Sequence, residues 1–335
     1  MDEGTTWLKN CSNYTDSSYF DDYRCRNIYY ARAISASLSI IMCCLVVFII
    51  VLYKKYNRFT QRLVLYLVVP TLVISAVALD PTISDDNPSC AVAGFFMNWG
   101  LLAQRFIILC IVLHLLVFSF HKSKPWYLEI LFHGIIWGFS LCLSIIPLFN
   151  KQYGSAGVWC WIRGRNHYEL YVLRIICLYF WVWLCIFIEI VCFAWVVIRV
   201  FKQIRLFENS CDPAASELKR KYLEYIYPLM LYPLANFFLA IPVSINRIQN
   251  MIDPGNPNYI LFLIHSIVYP IWGFFNMIMY FMNKETLQQL SPCAIVKRIA
   301  TFSSDPLSNN YQEGVQHPRD LMPASTGVQT SHDME

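Results

Sequence analysis

Val158-Trp159-Cys160-Trp161-Ile162 stands in a short polar interval between two long apolar segments. A second cysteine, Cys90, heads an earlier apolar segment, just after Asp85-Asp86-Asn87-Pro88. With this interval on the outside, a Cys90–Cys160 bond pins a loop over the mouth of a helix bundle. Trp159 and Trp161 then form part of a lid. The same two rings also suit an interfacial aromatic belt, which needs no ligand.

The surrounding composition points to a membrane. Of the 335 residues, 57% are hydrophobic and 14% charged, and mean hydropathy is +0.43. Soluble domains carry about 25% charge and about 45–50% apolar residues. The apolar excess falls into blocks of about 20 residues or more, enough to cross about 30 Å of hydrocarbon. The expected fold is an all-α membrane protein, a seven-transmembrane helix bundle. Its spans lie at about 29–53, 63–83, 91–120, 127–148, 168–200, 222–246 and 259–283. Pro70, Pro228, Pro233, Pro242 and Pro270 fall inside them, where neighbouring helices can satisfy the freed carbonyls.

Loop charge sets the orientation. Lys54, Lys55, Arg58 and Arg62 share one loop without an acid; Lys122 and Lys124 lie in another, and Arg199, Lys202, Arg205, Lys219, Arg220 and Lys221 in a third. These basic loops alternate with loops bearing Asp80, Asp85, Asp86 and Asp253. The N-terminus is therefore expected outside and the C-terminus in the cytoplasm, in a multi-pass protein of the plasma membrane. Residues 1–28 read as an extracellular tail, glycosylated at Asn10 and Asn13 through Asn10-Cys11-Ser12 and Asn13-Tyr14-Thr15. The first 27 residues hold no apolar run, so the first span serves as an uncleaved insertion signal. The bundle occupies 29–283, an amphipathic juxtamembrane segment 284–302, and a disordered cytoplasmic tail 303–335. Cys293 is either a palmitoylation site or a free thiol.

Of 13 cysteines, Cys11, Cys25, Cys90 and Cys160 lie on the outer side, where disulfides persist. Four cysteines allow three pairings. Cys90–Cys160 is favoured, with Cys11–Cys25 as a second bond.

Polar residues inside spans are costly and mark interior contacts or wet cavities. Asn98 and Arg105 share a face of the third span, two turns apart. Arg105 lies about 22 Å below Cys90 at helical rise, too deep to snorkel easily. It meets either an anionic ligand or an internal partner, for which Glu189 is the obvious choice. Arg174 is either a ligand contact or an interface anchor. With His265 and Trp161, these residues suggest a polar, net positive cavity open to the outside. The candidate ligand-binding set is Asn98, Arg105, Trp161, Arg174 and His265.

The layout resembles a G-protein-coupled receptor: seven spans, an outside N-terminus, a cysteine heading the third span and another before the fifth. Trp159-Cys160-Trp161 sharpens this to the slime-mould cyclic-AMP receptor family and its relatives, among them fungal glucose-sensing receptors and some animal orphan receptors. Tyr227-Pro228-Leu229, and Gly273-Phe274-Phe275-Asn276 with Tyr280, are also similar. The chain departs from rhodopsin-like receptors. His114-Leu115-Leu116 stands where they have Asp-Arg-Tyr, and Asn276-Met277-Ile278-Met279-Tyr280 lacks the usual proline. The resemblance implies an extracellular polar or anionic small ligand and a heterotrimeric G-protein partner. The G protein would meet Lys54, Lys55, Arg58, Lys122, Arg205, Lys219, Arg220 and Lys221. The positive-inside rule alone accounts for the same charges.

Other classes fit less well. Retinal needs a lysine deep in the last span, where the only one is the terminal Lys284. A metal hydrolase needs clustered ligands, but His114, His133 and His265 stand apart. A seven-helix transporter or channel for a small polar solute is the alternative, weakened by the absence of a visible repeat. No catalytic residue, cofactor, metal or nucleic-acid partner is expected.

Overall fold

A computed structural model describes residues 20–80, 88–120, 127–156, 159–163, 167–208, 213–253, 256–282 and 284–304. Asn10, Asn13, Cys11, Lys122 and the tail beyond Ser304 lie outside these residues. Helix α1 spans Asp22–Leu52 and starts seven residues before the expected span. Asp21 explains the early start, because its side chain accepts a 3.2 Å hydrogen bond from the Arg24 N–H as an N-cap. Phe20 packs edge-on against Tyr259 and Phe262, which anchors this extra turn. Cys25 is disulfide-bonded, as the sequence suggested, but its expected partner Cys11 is outside the described residues.

Helices α2 (Phe59–Leu79) and α3 (Pro88–Phe120) follow. Pro88 suits the first position of α3, where a backbone N–H has no intrahelical acceptor. Helix α4 runs through Tyr127–His133, a π-helical Gly134–Phe139 and Ser140–Phe149. Helix α5 is built likewise from His167–Arg174, a π-helical Ile175–Tyr179 and Phe180–Glu208. Side chains bond carbonyls in that widened turn: Trp181 Nε1 donates to the Ile176 oxygen at 2.9 Å, and Asn98 Nδ2 to that of Cys177 at 3.5 Å. Helices α6 (Pro213–Ile252) and α7 (Tyr259–Phe281) complete the bundle, with Asn258 capping α7. Two short helices follow, α8 (Lys284–Gln289) and α9 (Pro292–Ser304).

Helix α3 is the central rod: 72% of its apolar window is buried, against 33% for α4 and α5. It packs on α2, α4, α5 and α6, while α7 closes the ring between α1 and α6. Among the described residues, six helices, α1–α5 and α7, are long and apolar enough to cross a membrane. The remaining expected span, 222–246, falls within the continuous helix α6. Residues 226–243 hold no Asp, Glu, Lys or Arg, and α6 also carries the polar residues Glu224, Asn236, Ser244, Asn246, Arg247, Gln249 and Asn250. Several of them face inward: Asn236, Ser244 and Asn246 are buried.

The interval between α4 and α5 is an antiparallel hairpin, where an irregular loop was expected. Strand β1 (Tyr153–Ser155) pairs with β2 (Cys160–Ile162), placing Gly154 opposite Trp161 and Ser155 opposite Cys160.

Candidate functional site

The hairpin is fastened to three helices. The Cys90–Cys160 disulfide joins it to the head of α3, with a Cα–Cα separation of 5.3 Å. Tyr153 donates to the Ser144 carbonyl of α4 at 2.8 Å. Burial holds the Tyr153 phenol well above its ordinary range, so it stays a neutral donor into strongly basic solution. From α5, Arg174 donates twice to the Ile162 carbonyl, from Nε at 3.1 Å and Nη2 at 2.8 Å. Gly94 lets the hairpin lie on α3: a Cβ there would stand 3.0 Å from the Tyr153 ring and 3.2 Å from Trp161 backbone.

This fastening drives both tryptophans into the bundle. Each is only 2% exposed, which removes the interfacial-belt reading. Trp161 Nε1 donates to Asn98 Oδ1 at 3.1 Å, and Asn98 Nδ2 donates to Ser144 Oγ at 3.1 Å. Asn98 is fully buried and outside the cavity wall described next. It therefore positions Trp161. Trp159 lies 4.9 Å from the His265 ring and 5.8 Å from those of Phe262 and Tyr269.

Beneath the hairpin is a small cavity of ≈ 50 Å³, lined by residues of the hairpin, α3, α5, α6 and α7. It brings together Arg105, Trp161 and His265 of the expected set; Arg174 lies on a neighbouring cavity instead. Asn246 Nδ2 donates to His265 Nδ1 at 2.9 Å, which orients the imidazole. The wall is mostly aromatic and aliphatic, including Met97, Leu101, Leu178, Val182 and Tyr269. The expected polar cavity open to the outside is thus, in this structure, an aromatic chamber roofed by the hairpin.

Its cations rest on indole faces. The Arg105 guanidinium carbon is 3.6 Å from the Trp272 ring centroid. That of Arg247 lies 4.7 Å from Trp159 and 5.1 Å from Trp161, and Arg174 lies 4.9 Å from Trp161. Such stacking compensates a guanidinium in a dry site by about 2 kcal/mol. Arg105 and Glu189, the expected internal pair, interact electrostatically without a direct hydrogen bond. Glu189 is buried, yet neither carboxylate oxygen has a hydrogen-bond partner among the described residues. From the cavity floor, Trp272 Nε1 donates to Asn236 Oδ1, and Asn236 Nδ2 donates to Asn276 Oδ1 at 3.5 Å. A chain of contacts therefore runs from Arg105 on α3 through α7 and α6.

Trp272 was missed in the sequence; Arg247, one residue past the expected sixth span, was counted only among outer arginines that lean toward an anionic ligand. The helix continues to Ile252 because no glycine or proline intervenes before Pro254. Nothing in residue spacing marks Trp272 as the platform for Arg105. On the opposite end, Lys54, Arg58 and Arg205 are exposed, as is Cys293. Lys55 is not: it is 6% exposed and donates to Thr286 Oγ1 at 3.5 Å, so it braces α8 and cannot present its ammonium to a partner. Lys219, Arg220 and Lys221 lie in the first third of α6.

The described residues thus form a bundle of helices, six of them able to cross a membrane, with a disulfide-fastened hairpin roofing an internal cavity. The family described as slime mold cyclic AMP receptor matches residues 23–310, and the chain belongs to that family. It is 26% identical over 255 residues to "Cyclic AMP receptor-like protein A" of Dictyostelium discoideum, covering 75% of this chain and 63% of that protein. "G-protein coupled receptor 1" of Arabidopsis thaliana is 24% identical over 276 residues, 80% of each chain. "Cyclic AMP receptor 4" of Dictyostelium discoideum is 24% identical over 282 residues, 78% of this chain and 58% of that one. The chain thus spans less than two thirds of the length of both Dictyostelium relatives.

Proposed function

We propose that this chain is a seven-span plasma-membrane receptor in which α6 supplies the remaining span. Its hairpin end faces outside and its C-terminus the cytoplasm. An extracellular anionic or strongly polar small molecule binds in the cavity beneath the hairpin. One observation carries this reading. Arg105 and Trp159 line the same cavity and are 4% and 2% exposed, yet Arg105 Nη1 and Trp159 Nε1 have no hydrogen-bond partner among the described residues. A buried donor left without an acceptor costs about 1–3 kcal/mol, more when charged, and a ligand acceptor would recover that cost. The names of two relatives specify cyclic AMP, an anion of this chemical class.

Ligand that draws the Arg105 guanidinium from Trp272 biases the Trp272–Asn236–Asn276 chain and hence the packing of α6 on α7. It acts only through its difference in affinity for the two states. A heterotrimeric G protein then meets the basic inner end, through Lys54, Arg58, Arg205 and the Lys219-Arg220-Lys221 cluster; Lys122, outside the described residues, belongs to the same expected set. Asn10 and Asn13 carry glycans, and Cys293 takes an acyl chain at the inner surface.

The test is a panel of nucleotides, sugars and small organic anions on cells that report G-protein activation. Arg105→Ala is expected to weaken the response to the active ligand by about tenfold or more. A full response from that variant overturns the cavity assignment. Ligand uptake into vesicles without G-protein coupling would favour the transporter reading instead.

A further inference from the structure

A second cavity of ≈ 240 Å³ opens beside the first, between the outer halves of α5 and α6. The two cavities share Tyr179, Ser244 and Arg247. Their walls differ. Ile175, Trp183, Ile248 and Met251 of the second are 45%, 41%, 53% and 44% exposed. Ile175 and Trp183 belong to a helix able to cross a membrane; with α6 as the proposed remaining span, this cleft opens sideways toward the bilayer, whereas the first is roofed by the hairpin. Arg174 and Arg247 stand in the same cleft, and both guanidiniums lie against the Trp161 indole.

We infer that this cleft binds an anionic single-chain lipid from the leaflet on the hairpin side. Its charged head group is held by Arg174 and Arg247, and its acyl chain lies along Ile175, Trp183, Ile248 and Met251. The pairing follows from chemistry. A guanidinium offers a planar fork of donors matched to phosphate or carboxylate oxygens. The apolar walls offer an acyl chain the same burial as the bilayer, so they do not by themselves select a lipid. The cations supply the selection, and ordinary surrounding lipid would show none. Because Arg247 also lines the roofed cavity, an occupant of the cleft fixes one wall of that site.

The experiment uses the full chain in phosphatidylcholine nanodiscs and labelled oleoyl lysophosphatidate as the probe. Saturable binding is expected, weakened about tenfold or more by Arg174→Gln with Arg247→Gln. Ile248→Trp, which fills the bilayer side of the cleft and leaves both cations in place, should weaken it similarly. Glycerol 3-phosphate, the head group without the chain, should not compete; effective competition shows a soluble-anion site and overturns the inference. Equal binding of oleoyl lysophosphatidylcholine, or binding unchanged in both variants, shows ordinary surrounding lipid and also overturns it. The readout is binding, so its failure leaves the receptor reading untouched, and a failed signalling assay leaves this one untouched.

Discussion

Where α7 meets α1 and α2, the helices touch through Ser39, Thr71 and Gly273; where α5 meets α6, two cavities part them. On the first wall, Ser39 Oγ accepts from the Phe274 N–H at 3.0 Å and donates to the Pro270 carbonyl. A hydroxyl of α1 thus stands in the backbone ladder of α7 beside its proline. Thr71 accepts from Gln104 at 3.0 Å, extending the seam to α3. Small residues bring backbones close, and hydrogen bonds between helices hold them there, as is usual where no water drives association. On the second wall, bulky aromatics and stacked arginines line empty space. A ligand-driven change has room on the second wall and little on the first.

The largest test of this contrast removes the strap that ties the roof to α3. Cys90→Ser or Cys160→Ser opens a disulfide that closes a loop between residues 70 apart in sequence. Losing such a bond costs about 2–5 kcal/mol. Both variants should show lower thermal unfolding temperatures and reduced surface expression, measured on detergent extracts and by flow cytometry. Wild-type behaviour of both would show that Arg174 and Tyr153 hold the hairpin without the disulfide.

Next in size is the close wall itself. A Cβ on Gly273 would stand 2.0 Å from Thr71 Cγ2 and 3.4 Å from Ser39 Cβ. Gly273→Ala therefore requires α7 to move off α2, and overpacking of this kind costs about 1–3 kcal/mol. A lowered melting temperature is expected. An unchanged one would mean that the seam yields, and the difference between the two walls would disappear.

The sequence was informative where one signal sufficed. Hydropathy alone locates α1–α5 and α7, and compartment with layout singles out Cys90 and Cys160. It was less informative where two levels compete. Asp21 and Phe20 extend α1 beyond its apolar block, and α6 runs past its own apolar block to Ile252, carrying Arg247 into the bundle. The site was the least legible part. Arg105 was visible as an anomalous charge, and so was Glu189, with which it interacts electrostatically. The fold adds the face of Trp272, whose position depends on how α7 packs. Asn98 was likewise visible as polar, while its role depends on the hairpin, which places Trp161 within hydrogen-bond reach.

The smallest expected effect is the most discriminating, because it matches Gly273→Ala methyl for methyl. Ser244→Thr also adds one methyl group to a buried position in a helix, and it keeps the hydroxyl. Ser244 lines both cavities, so the new methyl meets space rather than a packed neighbour. The β-branch adds only a slight helix penalty. Stability should change by no more than about 0.5 kcal/mol, the range of substitutions that touch no tight feature. Measured together by thermal unfolding in the same detergent, the two variants should differ clearly, with Gly273→Ala the less stable. Equal destabilisation would mean that α5 and α6 close on each other as tightly as α7 closes on α2. In that case the two cavities would not be room for a ligand, and movement between α5 and α6 could not carry a signal.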